Sequence, residues 1–409
     1  MPLADEPESP SRTILDALAP DTFPFAGRLK GEVISVKKLL AKLETAVRDG
    51  DPSSIPATVD DILTWYKRGP VETMKALADR LDDAASIDDR LQEHAGVALA
   101  RAGSVLWGQK LNDEASVYYR RAEARLGPLT SARALQCWSE AASSLASLLR
   151  AESLDDAALR FEALFRKTNE HPISSSTRYW TLFAARRVAT SLCNSDRPAD
   201  ALSITSRTLT LSLDGYVLDA YWYEHWIQVH CNHVLALRLL ERYREAIAAA
   251  EKTLAFDRFA TSDDAAVGIC WVYAEAVFIA VDKLSDPATA MPFFAALREK
   301  ATHPKAAKLV RDVSYGVAME AKALLLLGRS DDALKSCVDA IEFAGRCAPP
   351  ESGFPSWASA LATRGNALDA QGDRAGAEAA WREAIERFGA SDDSNVRDEV
   401  AKSRASLAR

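Results

Sequence analysis

Residues 221–233 read YWYEHWIQVHCNH, which places three histidines, a cysteine, a glutamate and four aromatics within thirteen residues. Those residue types can hold zinc, and a histidine beside a carboxylate can move protons. Spacing decides between these uses. On a helix turning about 100° per residue, His225, His230 and His233 stand at roughly 0°, 140° and 80°. Only His230 and His233, three apart, share a face, while Cys231 points elsewhere and Glu224 adjoins His225. Zinc needs three or four converging ligands, and the sequence has no HExxH. The segment reads as one helix of a larger array, its histidines structural or groove-lining, with no metal site. A metalloprotein or enzyme centred on His225–His233 is the third of three readings.

Other chemistry leaves no trace. The chain has no GxSxG, Walker A or GxGxxG motif. Paired aspartates at 60–61, 82–83, 155–156, 263–264, 331–332 and 392–393 often precede an expected helix. Aspartate there caps the helix or favours its N-terminus, a simpler role than acid–base catalysis. The sequence therefore predicts no enzyme, no catalytic residue and no cofactor. A net charge of −8 and a pI near 5.5 argue against nucleic acid, whose phosphates need a basic surface. The six cysteines, at 137, 193, 231, 270, 337 and 347, form no CxxC pair and read as small buried apolar residues. The acidic, Pro-rich start MPLADEPESPSR lacks the pattern of a secretory signal, and no uninterrupted apolar run approaches a membrane span. These features predict a cytoplasmic chain without membrane insertion. Its Ala- and Arg-rich composition points to a GC-rich bacterial genome.

The elements behind these residues are helical. Gly and Pro are sparse, at 18 and 17, and helix-favouring residues dominate. The clearest unit is ASALATRGNALDAQGDRAGAEAAWREAIERFG, 358–389: a helix, a turn at Gln371-Gly372-Asp373 and a second helix. Gly365 and Ala377 are small where two helices must meet, and Trp381 and Ala384 follow Ala377 on one face. Upstream copies give Gly103, Leu106, Ala115, Tyr119 and Ala122; then Leu237, Ala246, Ala250 and Thr253; then Ala321, Leu324, Ala333, Cys337 and Ala340. Weaker copies surround Ala157, Ala201 and Ala290. The second-helix alanines Ala115, Ala157, Ala201, Ala246, Ala290, Ala333 and Ala377 are spaced 42, 44, 45, 44, 43 and 44 apart. Trp138, Trp180, Trp226, Trp271 and Trp357 keep the same beat in the first helices.

The unit at 358–389 resembles a tetratricopeptide repeat, with a small residue in its first helix and Ala, an aromatic and Ala in its second. The interval of about 44 is similar to the longer variants of that class. The resemblance implies an all-α fold: a right-handed α-α superhelix of about seven helix-turn-helix repeats with a helical N-terminal cap. It also implies a concave groove lined by first helices. Transferred groove positions are Phe183, Arg186, Thr190 and Asn194; Gln228, Leu235 and Arg238; Glu275 and Asp282; Tyr315 and Lys322; and Asn366 and Asp369. Arg186, Thr190 and Asn194 fall four apart and form a polar stripe, and Arg with Asn can hold a peptide carboxylate. The full Lys/Asn/Asn/Lys/Arg set of the carboxylate-clamp repeats is absent.

The expected organisation is a disordered N-terminus (1–12), a helical cap (13–94), the repeat array (95–390) and a solvating C-terminal helix (391–409) capped by Asp392 or Ser394. The cap helices, at 28–49, 57–68 and from Pro70, fit the repeat poorly, and a separate partner-binding domain is the alternative. For function, the first reading is a non-catalytic scaffold or adaptor holding a protein or peptide in the groove. The second is a peptide- or ligand-sensing regulator acting through a partner, since residues 1–95 show no basic recognition helix.

Overall fold

The computed structural model describes residues 45, 71–171, 175–211, 220–257, 262–301 and 309–409. The expected tail at 1–12 and the helices at 28–49, apart from residue 45, and 57–68 lie outside these. The described residues form α-helices with no strand. By its contacts the chain divides into two compact units, residues 1–191 and 192–409.

In the first unit, α1 (Val71–Ala85) precedes two hairpins, α2 (Gln92–Gly108) with α3 (Asn112–Leu126) and α4 (Ala132–Leu149) with α5 (Leu154–Glu170). Helix α6 (Ser175–Asn194) crosses the boundary between units. Ala115 and Ala157 are fully buried, which lets each second helix close on its partner. Gly103 has to be small: a Cβ there would sit 2.8 Å from the Tyr119 ring. Any side chain at 103 would drive the two helices apart. Charges lace neighbouring second helices. Arg121 pairs with Asp79 at 2.6 Å and Asp82 at 2.7 Å, and Arg125 with Asp82 at 2.5 Å, so α1 docks on α3.

The second unit continues with α7 (Pro198–Thr208), α8 (Ala220–Leu239), α9 (Tyr243–Leu254), α10 (Asp263–Phe278) and α11 (Pro287–Ala301). Then come α12 (Val310–Leu326), α13 (Ser330–Gly345), α14 (Phe354–Ala370), α15 (Arg374–Phe388) and α16 (Ser394–Leu407). Ala201, Ala246, Ala290, Ala333 and Ala377 are each fully buried, and Trp381 fills the space that Gly365 leaves. Helix α10 runs on through a π-helical turn at Ile279–Lys283. That 21-residue stretch, Asp263–Lys283, has the length and apolarity of a membrane span although charged residues interrupt it. Its residues are mostly buried, and Ile269, Cys270, Val272 and Tyr273 mark it as a core helix of this unit.

Within the hairpins one turn recurs. Lys110, Asp196, Glu241, Ser285, Gly328 and Gly372 all take positive φ, between 51° and 83°, just after a first helix. In five of these turns an amide five residues on closes onto a leucine carbonyl, that of Leu106, Leu192, Leu237, Leu324 or Leu368. This satisfies the orphan carbonyls at the helix end. The hairpin of α4 and α5 differs: there Ser153 caps α5 by accepting from the Asp156 amide.

Two expectations need correction. Of the aspartate pairs, those at 155–156, 263–264 and 331–332 lie in first turns, as expected, but act there without being the N-cap: Ser153, Ser262 and Arg329 hold those positions. The helix at the C-terminal end is more than solvating. Val396 and Val400 are buried against Ala358, Leu361, Ala384 and Phe388, and its cap is Asp393, which accepts from the Asn395 and Val396 amides. Few apolar residues suffice because they recur at i and i+4 on one face.

Candidate functional site

The face made by first helices carries the residues that could meet a partner, and it differs between the units. In the first unit, Arg101 Nη1 lies 2.9 Å from both carboxylate oxygens of Glu140, and Ser104 donates to Glu140 at 3.0 Å. Tyr119 in turn donates to Ser104 at 3.2 Å. This closed network ties α2 to α4 and leaves no unpaired charge.

Arg187 on α6 is different. Its guanidinium carbon lies 4.8 Å from the Phe183 ring centre and 5.6 Å from that of Trp107 on α2. Cation–π attraction to both rings holds the group in place. Among the described residues no carboxylate pairs with it, and its buried Nε has no hydrogen-bond partner. Burial first, then the like charges of Arg186 and Arg150, push its titration below the usual guanidinium range. Arg150 donates from Nε to the Ser147 carbonyl at 2.9 Å. The result is a half-buried positive site with aromatic walls and, among the described residues, no carboxylate paired with it.

Sequence reasoning named Phe183 and Arg186 but missed Arg187. The signal was present: Arg187 follows Phe183 by four and shares its face. The expected stripe also changes. Thr190 donates its hydroxyl to the Arg186 carbonyl at 2.7 Å, so that proton is already used, and Asn194 is exposed at the end of α6.

In the second unit the expected groove cations are already matched. Arg238 lies 2.9 Å from Glu275 and over the Phe278 ring at 5.9 Å. Lys322 lies 2.8 Å from Asp282 and 3.8 Å from Glu399 of α16. Glu399 also takes Lys402 at 2.6 Å. Burial raises the Glu275 carboxyl above its ordinary range, Arg238 opposes this, and Asp312 adds to it. Tyr315, half-buried beside Phe278 at 6.4 Å, titrates well above the phenolic range through burial and the charges of Asp282, Glu275 and Glu399. Gln228 packs against Gly268 between α8 and α10, and Leu235 is half-buried. Asn366 is exposed, and exposed Asp369 accepts from Arg374 at 3.2 Å. Arg238 and Lys322 are thus ion-paired within the fold, although Arg238 Nε, like that of Arg187, makes no well-aligned hydrogen bond.

The histidine segment forms the first half of α8. Trp226 is buried, and its ring meets those of Tyr223, His230 and Phe256. His233 shares a hydrogen bond with Thr205 at 3.0 Å. Among the described residues no three His, Cys, Asp or Glu side chains gather as metal ligands. The cysteines are buried free thiols. Burial lifts Cys137 and Cys193 to about 11 and Cys270 and Cys337 to about 12, far from thiolate chemistry at neutral pH.

No family model matches the sequence, and no curated protein matches it. Among solved structures, the chain is similar to an engineered protein at 17% identity and a TM-score of 0.55, covering 98% of this chain and 97% of that one. A tetratricopeptide repeat protein from Parabacteroides merdae aligns at 12% identity over 80% of this chain and 99% of its own, with a TM-score of 0.33. The tetratricopeptide domain of P58(IPK) aligns at 13% identity over 98% and 99%, with a TM-score of 0.26. Identities this low speak to fold alone, and the argument for fold rests on the hairpins themselves. Their buried alanines, the Gly103–Tyr119 and Gly365–Trp381 contacts and the recurring turns define a tetratricopeptide-like all-α repeat fold.

Proposed function

We propose that the chain is a non-catalytic interaction scaffold that binds an acidic, carboxylate-bearing segment of a partner protein through Arg187. One observation carries this reading: a guanidinium held between Trp107 and Phe183, with like-charged neighbours and, among the described residues, no carboxylate paired with it. An anion arriving there gains charge-assisted hydrogen bonds that the fold does not supply. The cations at the matching positions of the second unit lack this property, so they are assigned to cohesion rather than recognition.

Fluorescence anisotropy on the full chain tests the proposal. The probes are a fluorescein-labelled peptide ending in three glutamates with a free C-terminus and the same peptide with glutamines and an amide end. The acidic peptide binds and the neutral one does not. Arg187→Ala weakens binding at least tenfold, and Arg238→Ala leaves it within about twofold, the range expected when one charge-assisted contact is lost or untouched. Equal binding by wild type and Arg187→Ala would refute the assignment.

A further inference from the structure

The second helices of the two hairpins around α8 are short. Helices α7 and α9 have 11 and 12 residues, against 15 to 17 for α3, α5, α11, α13 and α15. At about 1.5 Å per residue, each stops roughly one turn early. Both end beside the first half of α8, which runs for 20 residues. Among the described residues this leaves a cavity of about 620 Å³ within the second unit, lined by Thr210, Trp226, His230, His233, Lys252 and Phe256 among others. Its size suits a small organic molecule.

The lining is chemically specific. Trp226 and Phe256 meet edge to face at 4.4 Å and form an apolar wall. His230 is 5% exposed and packs against Trp226 at 4.0 Å, yet neither ring nitrogen has a hydrogen-bond partner among the described residues. A buried imidazole left this way costs desolvation with nothing in return. Had the position served packing alone, Phe or Leu would fill it without that cost. His233 offers only its second nitrogen, since Nδ1 meets Thr205. Lys252, exposed on the lining, is the cationic side chain of the site. Burial first, and then neighbouring positive charge including that of Lys252, lowers both imidazoles below the usual histidine range, so each offers a donor or an acceptor rather than a charge.

We propose that this cavity binds a small aromatic carboxylic acid, its ring against Trp226 and Phe256, a polar ring atom on His230 and its carboxylate on Lys252. The site is separate from Arg187 and stands or falls independently of it. Isothermal titration of the full chain uses sodium indole-3-acetate as probe and indole as the ring without the charge. Wild type binds indole-3-acetate saturably with one site, and indole at least fivefold more weakly. His230→Phe weakens both at least tenfold while the melting temperature holds or rises. Lys252→Ala weakens indole-3-acetate to the level of indole and leaves indole unchanged. Arg187→Ala leaves both affinities as they were, which keeps this test distinct from the peptide test. The proposal is overturned by no saturable heat with either probe, or by His230→Phe binding like wild type. Equal affinity for the two probes overturns the carboxylate assignment.

Discussion

The two units use one framework and treat charge on their first-helix faces in opposite ways. In the second unit, Arg238 and Lys322 each find a carboxylate one hairpin away, Glu275 and Asp282. In the first, Arg101 does the same with Glu140, but Arg187 meets rings and other arginines. A matched pair joins neighbours and offers little to a third party. A guanidinium held by rings strands no carboxylate when it turns to a third party, and so it marks where an outside anion gains most.

The largest expected effect breaks this contrast by removing the matched cation. Arg238→Ala strands the buried Glu275 carboxylate and lowers stability by about 3 kcal/mol, the scale for breaking a buried pair. Arg187→Ala changes stability by less than about 1 kcal/mol, since no partner is stranded. Urea denaturation of the full chain compares them, and equal losses would erase the distinction. A second effect lies in the first unit, where burial raises Glu123 to about 7 despite Arg160 at 2.8 Å. A carboxyl that binds its proton more tightly when folded loses stability as pH rises from about 4.5 to 7. Glu123→Gln removes that decline and stabilises the chain by about 2–3 kcal/mol at pH 8, with little change at pH 4.5. Melting temperatures across that window check the sign. The smallest effect concerns the turns. Glu241, with φ of 58°, sits where only Gly is unstrained, so Glu241→Gly raises stability by up to about 1 kcal/mol. Gly372→Ala, at φ of 83°, lowers it by about as much.

The residues on which the fold rests were legible because each repeat needs them at the same local place. Ala115 through Ala377 announce themselves by size and interval, and all are buried. The turn at Gly372 was read directly, but its equivalents at Lys110, Asp196, Glu241 and Ser285 were hidden, since nothing in those residue types signals positive φ. The candidate site was less legible. Whether Arg238 is free depends on Glu275, and whether Arg187 is enclosed depends on Trp107, eighty positions away. Such pairings are set by how hairpins stack, and no local pattern encodes them. The cap at Asp393 was missed by one residue, because three polar neighbours competed for the role.

The final helix has a consequence for solubility and assembly. Phe388, Leu361 and Ala358 are kept from water by Val396 and Val400, while Glu399 reaches inward to Lys322. A proteolytic cut in the short linker after Phe388 would release α16 and bare an oily end shaped to receive another helix. Fourteen residues thus keep that end from offering an apolar surface to other chains.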